Sequence, residues 1–295
     1  MTGQERHAAR SARVFLAPAL LLIAVFFFLP VLAALLLSFT DFDIYALGDL
    51  DRLRFVGLRN YLDLLQSPLF WTALGNTFYF VVVGGPLSVA VSGRGAAGQR
   101  AADPLSRFLP RRLLPAGGDD PGGGGGGVAL SLPSHYGLLN YGLGLLGIDP
   151  IDWLGDPVWA MPAIILMAVW KNFGFNMIIF IAGLQNIPPQ LYEAARIDGA
   201  NGWRQFRHIT LPLLGPTFLF VALMTMIGYF QVFAEPYVMT QGGPTNRTLS
   251  VVLLMYEEGF RWWNMGYASA AAFVLFVLIL AGTALQLRLQ RREPP

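Results

Sequence analysis

The sequence predicts an all-α polytopic membrane protein, a bundle of apolar helices that cross a bilayer. Three observations predict it. Only 13% of the 295 residues are charged while 55% are hydrophobic, and mean hydropathy is +0.52. A soluble domain keeps roughly a quarter of its residues charged. The apolar residues are gathered into long runs, several of them of bilayer-spanning length. The arginines cluster beside those runs, as charges that fix orientation do.

The first run, 14–39, exceeds the roughly 20 residues that span a bilayer as a helix. It is too long for a cleavable leader, and no small-x-small site ends it. Arg6, Arg10 and Arg13 precede it and mark 1–13 as a cytoplasmic tail. Further runs cover 71–91, 158–184, 213–233 and 267–287. Arg288 closes the last of these, and Arg291 and Arg292 mark a second cytoplasmic tail at 289–295. A single membrane domain over 14–288 is expected.

Charge parity tests this layout. The segment 190–208 holds Arg196, Arg204, Arg207 and His208, so it reads as cytoplasmic. The segments 40–67 and 149–156 are acidic or mixed and read as outside. Counting from the N-terminus, one span is missing between Ser92 and Ser134. That interval is rich in Gly, Pro and Arg, with glycine unbroken over 122–127. It has no apolar period and is long for a loop within a bundle. The peptide 111–132 can be encoded by GC-rich codons that, read one base later, give AAYFLPVATTPVAVAVAWRYLF, an apolar span where parity demands one. We therefore read Ser92–Ser134 as a local frameshift, with six spans intended and the third disrupted. The alternative is a true Gly-rich loop in a five-span protein.

Between the third and fourth runs lies QLYEAARIDGANGWRQFRHITLP. It places Glu193, Ala194 and Ala195 together, then Gly199 after three intervening residues, then Ile209, Leu211 and Pro212 after nine more. Pro188 and Pro189 suit a helix start. Gly199 can take a left-handed turn that ends that helix. A second short helix from about Asn201 then presents Trp203 and Phe206 on one face.

The whole EAA-x3-G-x9-I-x-L-P pattern is matched, and it resembles the EAA loop of ABC importer permeases. The surrounding text narrows the resemblance. IIFIAGLQNIPPQLYEAARIDGA, FAEPYVMTQGGPTNRTLSVVLLMYEEGF and the opening LAPALLLIAVFFFLP are similar to binding-protein-dependent carbohydrate permeases of the maltose and glycerol-phosphate type. The resemblance covers nearly the whole chain except Ser92–Ser134. It implies a type I importer permease bundle of six transmembrane helices. It also implies that the loop 185–212 couples to an ATPase through Glu193, Ala194, Ala195, Gly199, Ile209, Leu211 and Pro212. The partners implied are a second permease subunit, two ATP-binding subunits and an extracytoplasmic solute-binding protein. The location implied is the bacterial inner membrane.

Lys171, Asn172 and Asn176 sit inside an apolar run, where polar groups face a cavity or the bundle interior. They either pack between helices or line the path of a small polar solute. Trp170, Phe173, Tyr229 and Gln231 are candidates to stack on a sugar or hydrogen-bond it, with helix packing as the alternative. The expected substrate path is thus Trp170, Asn172, Asn176, Tyr229 and Gln231.

Other chemistry finds no support. Cysteine is absent, which excludes disulfides, thiolate metal sites and a cysteine nucleophile. No G-x4-G-K-[ST] loop occurs, so ATP hydrolysis is expected in a separate subunit, and neither cofactor nor metal is expected. A net charge of +2 makes no case for nucleic acid. An ion-driven transporter predicts inverted repeats and buried carboxylates, and Glu235 reads as lying at a span end. Import of a different solute class, or a nonfunctional frameshifted product, would also fit the pattern.

Overall fold

The computed structural model describes residues 15–43, 53–101, 137–145 and 147–290. Most of the interval Ser92–Ser134 lies outside them. In chain order the helices are α1 (Phe15–Leu37), α2 (Arg59–Gln66), α3 (Pro68–Gly98), α4 (Leu138–Leu145), α5 (Ala160–Gln185) and α6 (Pro189–Ile197). They continue with α7 (Gly202–Leu213), α8 (Gly215–Phe230), α9 (Ala234–Met239), α10 (Val251–Tyr256) and α11 (Met265–Gln290). Among the described residues the one departure from helix and loop is an isolated antiparallel bridge between Thr40 and Phe55. Four helices, α1, α3, α5 and α11, are long and apolar enough to cross a membrane. The pair α7–α8, bent by 62°, makes a fifth candidate. The all-α, multi-span class expected from the sequence is the one observed.

The chain divides into two compact units, Met1–Ser67 with Leu254–Phe276, and Pro68–Leu253 with Val277–Pro295. The sequence alone suggests one domain. In the first unit, the apolar side chains of α1 are exposed on every side from Phe15 through Ala33, which hydrocarbon permits and water does not. The turn after α1 is tied down by Asn60, whose Nδ2 donates to the carbonyls of Ser38 and Thr40, both at 2.8 Å. The Ser38 hydroxyl and the Tyr61 hydroxyl share a further bond of 2.8 Å.

Three of the prolines are met in one recurring way. π-helical stretches at Ala24–Phe28, Phe80–Gly84 and Phe206–Thr210 each end two residues before a proline, Pro30, Pro86 and Pro212. A proline lacks its own N–H, and its ring crowds the carbonyl four residues back. A widened turn relieves that crowding without breaking the helix. The Leu29 N–H accordingly reaches Ala24 O, and the Leu211 N–H reaches Phe206 O.

The second unit is built on α3, α5 and α8. Its core gathers Ala96, Met177, Phe180, Leu184, Ile187, Leu214 and Val221, with the rings of Phe180 and Phe218 4.7 Å apart. The apolar run of the second span ends at Val91, but helical geometry continues through Ala101. Glycine is a poor helix former, and packing overrides that preference here. A Cβ on Gly95 would lie 2.9 Å from the Phe173 ring, so only glycine lets α3 and α5 approach so closely. Ser92 is buried and returns its hydroxyl to Ser88 O at 2.7 Å.

Between α9 and α10 the chain forms a compact loop held to α3. The Asn76 Nδ2 donates to Asn246 O at 2.8 Å and to Leu249 O at 3.0 Å. The Thr77 hydroxyl accepts from the Val251 N–H at 3.1 Å.

Candidate functional site

The matched motif folds into two helical arms, α6 and α7, joined by a tight turn. Pro188 caps α6, and Pro189 begins it, where a missing N–H costs nothing. At its far end Gly199 has φ +74°. The Gly199 N–H donates to Arg196 O at 3.1 Å, and the Ala200 N–H donates to Ala195 O at 2.8 Å. This pair of bonds is a Schellman cap, which satisfies carbonyls the helix would otherwise leave open. Asn201 then caps α7, its Oδ1 accepting from the Arg204 N–H at 2.9 Å. Trp203 and Phe206 stack with centroids 5.7 Å apart.

The two arms are locked together. The hydroxyls of Tyr192 and Thr210 bond at 2.9 Å, and Gln205 donates to Ala200 O at 2.9 Å. Tyr192 and Ile209 also pack against the unit's hydrophobic core. Glu193 and Ala194 are exposed on the outer side of α6, and Ala195 is half-buried. Leu211 and Pro212 are exposed where the π stretch passes into the bend before α8. Ile197, 87% exposed, and Trp203 are further apolar side chains left open on the two arms.

The mid-span polar residues fall into two groups. Asn176 is buried between three helices, its Nδ2 donating to the Ser88 hydroxyl at 3.2 Å and the Thr225 hydroxyl at 3.3 Å. Tyr229 is buried one turn beyond Thr225, and its hydroxyl meets no partner in good hydrogen-bond geometry, with Ser88 and Asn172 as polar neighbours. Asn172 donates to Ala168 O at 2.9 Å within α5. Trp170 is exposed on α5, and Gln231 is exposed at the end of α8. Both stand outside the Asn176 cluster. Ser88 and Thr225, which the sequence does not single out, belong to it.

By sequence Glu235 reads as a group at a span end, because the apolar run stops at Phe233. It does lie just past that end, and the structure adds that it is buried there, in the first turn of α9. The Lys171 Nζ donates to its Oε1 at 2.9 Å. Among the described residues no cluster of His, Cys, Asp and Glu could hold a metal ion.

The fold and these features define a helical, multi-pass membrane subunit with a structured loop between two of its spans. The chain belongs to the family of binding-protein-dependent transport system inner membrane components, whose model matches residues 8–293. It is 36% identical to the lactose transport system permease protein of Rhizobium radiobacter, over 92% of this chain and 91% of that one. It is 35% identical to the sulfoquinovosyl glycerol transport system permease protein of Agrobacterium fabrum, over 96% and 91%. The trehalose/maltose transport system permease protein of Thermococcus litoralis is 34% identical, over 96% and 94%. The fold matches a chain of a bacterial alginate ABC transporter, crystallised in complex with an alginate pentasaccharide-bound periplasmic protein. The TM-score is 0.75 and the identity 22%, over 98% of this chain and 96% of that one. This protein is a multi-pass permease subunit of an importer in the bacterial inner membrane.

Proposed function

We propose that this subunit pairs with a second permease to form the translocation path for a sugar or related small polar solute. Two ATP-binding subunits power the pair, and an extracytoplasmic solute-binding protein delivers the solute. ATP is hydrolysed in those partners and not in this chain. Both termini face the cytoplasm, and 185–212 is the loop that docks on the ATPase. The observation that carries this reading is the complete EAA-x3-G-x9-I-x-L-P pattern, together with its rigid two-arm geometry. Relatives named for lactose, trehalose/maltose and sulfoquinovosyl glycerol support the solute class.

In this reading Glu193, Ala194 and Ala195 form the docking surface, and small alanines allow close approach by the partner. Gly199 fixes the angle between the arms. Ile209, Leu211 and Pro212 carry movement into α8. ATP shifts the equilibrium between outward-open and inward-open states only if the ATPase dimer binds those states with different affinity. Asn172, Asn176 and Tyr229 line the solute path, with Trp170 and Gln231 at its margins.

The test is reconstitution. The assembled importer in proteoliposomes is expected to take up labelled lactose or trehalose only with ATP and the binding protein present. ATP hydrolysis by the isolated chain, or uptake driven by an ion gradient without ATP, would sink the proposal.

A further inference from the structure

Lys171 is the chain's one lysine, and it lies near the middle of a 26-residue helix. At 1.5 Å per residue it stands about 17 Å from the start of α5, deep in any bilayer that α5 crosses. Its stem is too short to carry the ammonium to either interface from there. The side chain is nevertheless 43% exposed, while that of its partner Glu235 is only 9% exposed.

The bonding is incomplete as well as exposed. An ammonium has three donors, and among the described residues it makes one bond, to Glu235 Oε1 at 2.9 Å. Facing lipid, the remaining N–H groups would stay unsatisfied, at a cost of several kcal/mol. The surface that bears Lys171 therefore meets a polar medium in the assembled protein. Phe175 and Ile178, exposed on the same face of α5, border it.

A second constraint sets the chemistry of what meets it. Glu235 already neutralises the ammonium, so the pair as a whole carries no net charge. An anionic solute approaching Lys171 meets the Glu235 carboxylate at the same place and gains little. A neutral polyol gains from both members. One hydroxyl oxygen accepts from the ammonium, and a neighbouring hydroxyl donates to the carboxylate. Ion pairs in low-dielectric surroundings make such bonds strong and directional.

We infer that the Lys171–Glu235 pair is a specificity-determining contact in the translocation path, which recognises adjacent hydroxyls of a neutral sugar. The inference rests on the permease reading above and deepens it. It names two residues outside the Asn176 cluster, and it predicts a preference for neutral over acidic sugars. The rival is a purely structural fastening of α5 to α9, in which the pair never touches solute.

The two are separated by removing both charges together. In Lys171→Met/Glu235→Gln no unpaired charge is left in the span, so a fastening role would be largely relieved. The experiment reconstitutes the full importer and measures uptake of labelled lactose, trehalose and a galacturonate disaccharide. Wild type is expected to favour the neutral sugars. The double variant is expected to assemble with its partners and to lose about tenfold in kcat/KM for them, seen mainly as a raised KM. It is also expected to lose the discrimination against galacturonate. Recovery of wild-type uptake in the double variant would overturn the inference, as would failure of the double variant to assemble. A wild-type preference for galacturonate would overturn it too. If wild type assembles with its ATPase but moves no sugar at all, the fault lies with the proposed solute class and not with this pair alone.

Discussion

The hydroxyls of Tyr192 and Thr210 lie 2.9 Å apart and join the two arms of the motif loop. Thr210 is buried, so removing its partner leaves a polar atom without compensation. Tyr192→Phe is expected to lower the stability of the loop by about 1 kcal/mol. If the loop passes movement from ATPase to spans, the variant also lowers uptake per ATP hydrolysed. Hydrogen exchange over 189–213 reads the first effect, and the ratio of transport to hydrolysis reads the second. An unchanged ratio with faster exchange would remove the bond from the coupling route.

Gly199 offers a sharper test. Its φ of +74° costs a branched residue about 1–2 kcal/mol, while a Cβ added there would meet no neighbouring atom within 4 Å. The penalty of Gly199→Val is thus one of backbone angle and not of collision. Gly199→Asn should recover most of the function, because asparagine tolerates the left-handed region. Glu193→Lys, on an exposed carboxylate, is expected to weaken co-purification of the ATPase without altering membrane insertion. Normal uptake in both Gly199→Val and Glu193→Lys would count heavily against a coupling role.

The buried polar cluster separates packing from recognition. Asn176 makes two interhelical bonds, each worth about 0.6 kcal/mol in a membrane. Asn176→Leu is expected to lower the unfolding temperature in detergent. The Tyr229 hydroxyl makes no well-formed bond, so Tyr229→Phe is expected to leave that temperature unchanged. If Tyr229 lines the path, the same variant raises the KM for sugar uptake several-fold. A Tyr229→Phe protein with unaltered KM would confine that residue to packing.

The local features of this fold were the legible ones. Gly199, Asn201 and Pro189 each announce a backbone state through their own chemistry, and the structure gives them those states. The apolar runs likewise coincide with the long apolar helices α1, α3, α5 and α11. Long-range partners were not legible. Lys171 and Glu235 are 64 residues apart, and no helical period links a lysine in one span to a carboxylate just past the end of another. Ser88 and Thr225 pass unnoticed in apolar runs because a hydroxyl can bond its own helix backbone, and only the three-helix packing shows that they meet Asn176. The end of α3 is hidden for a related reason. Gly93, Gly95 and Gly98 argue against helix by propensity, and the close approach of Phe173 that favours glycine there is a tertiary fact.

The interval 102–136 yields a prediction at the level of the gene. As written it carries Pro104, Pro110, Pro115 and Pro121, each of which interrupts a helix. It also carries Arg111, Arg112, Asp119 and Asp120, which are costly in hydrocarbon. Yet the arginines of 190–208 and the acidic segment 149–156 require an odd number of crossings between that acidic segment and the second span. With GC-rich codons, a shift of one base over 111–132 would supply an apolar segment there. We therefore expect the source DNA to show compensating single-base changes near both ends of Ser92–Ser134, relative to an intact reading frame. A topology reporter fused after Asp149 should read outside in the frame-restored chain and either inside or mixed in the chain as written. Clean DNA, together with mass-spectrometric detection of the peptide spanning 122–127 in cells, would refute the shift. The protein would then be a five-span variant, and the side of the membrane assigned to its motif loop would have to be determined anew.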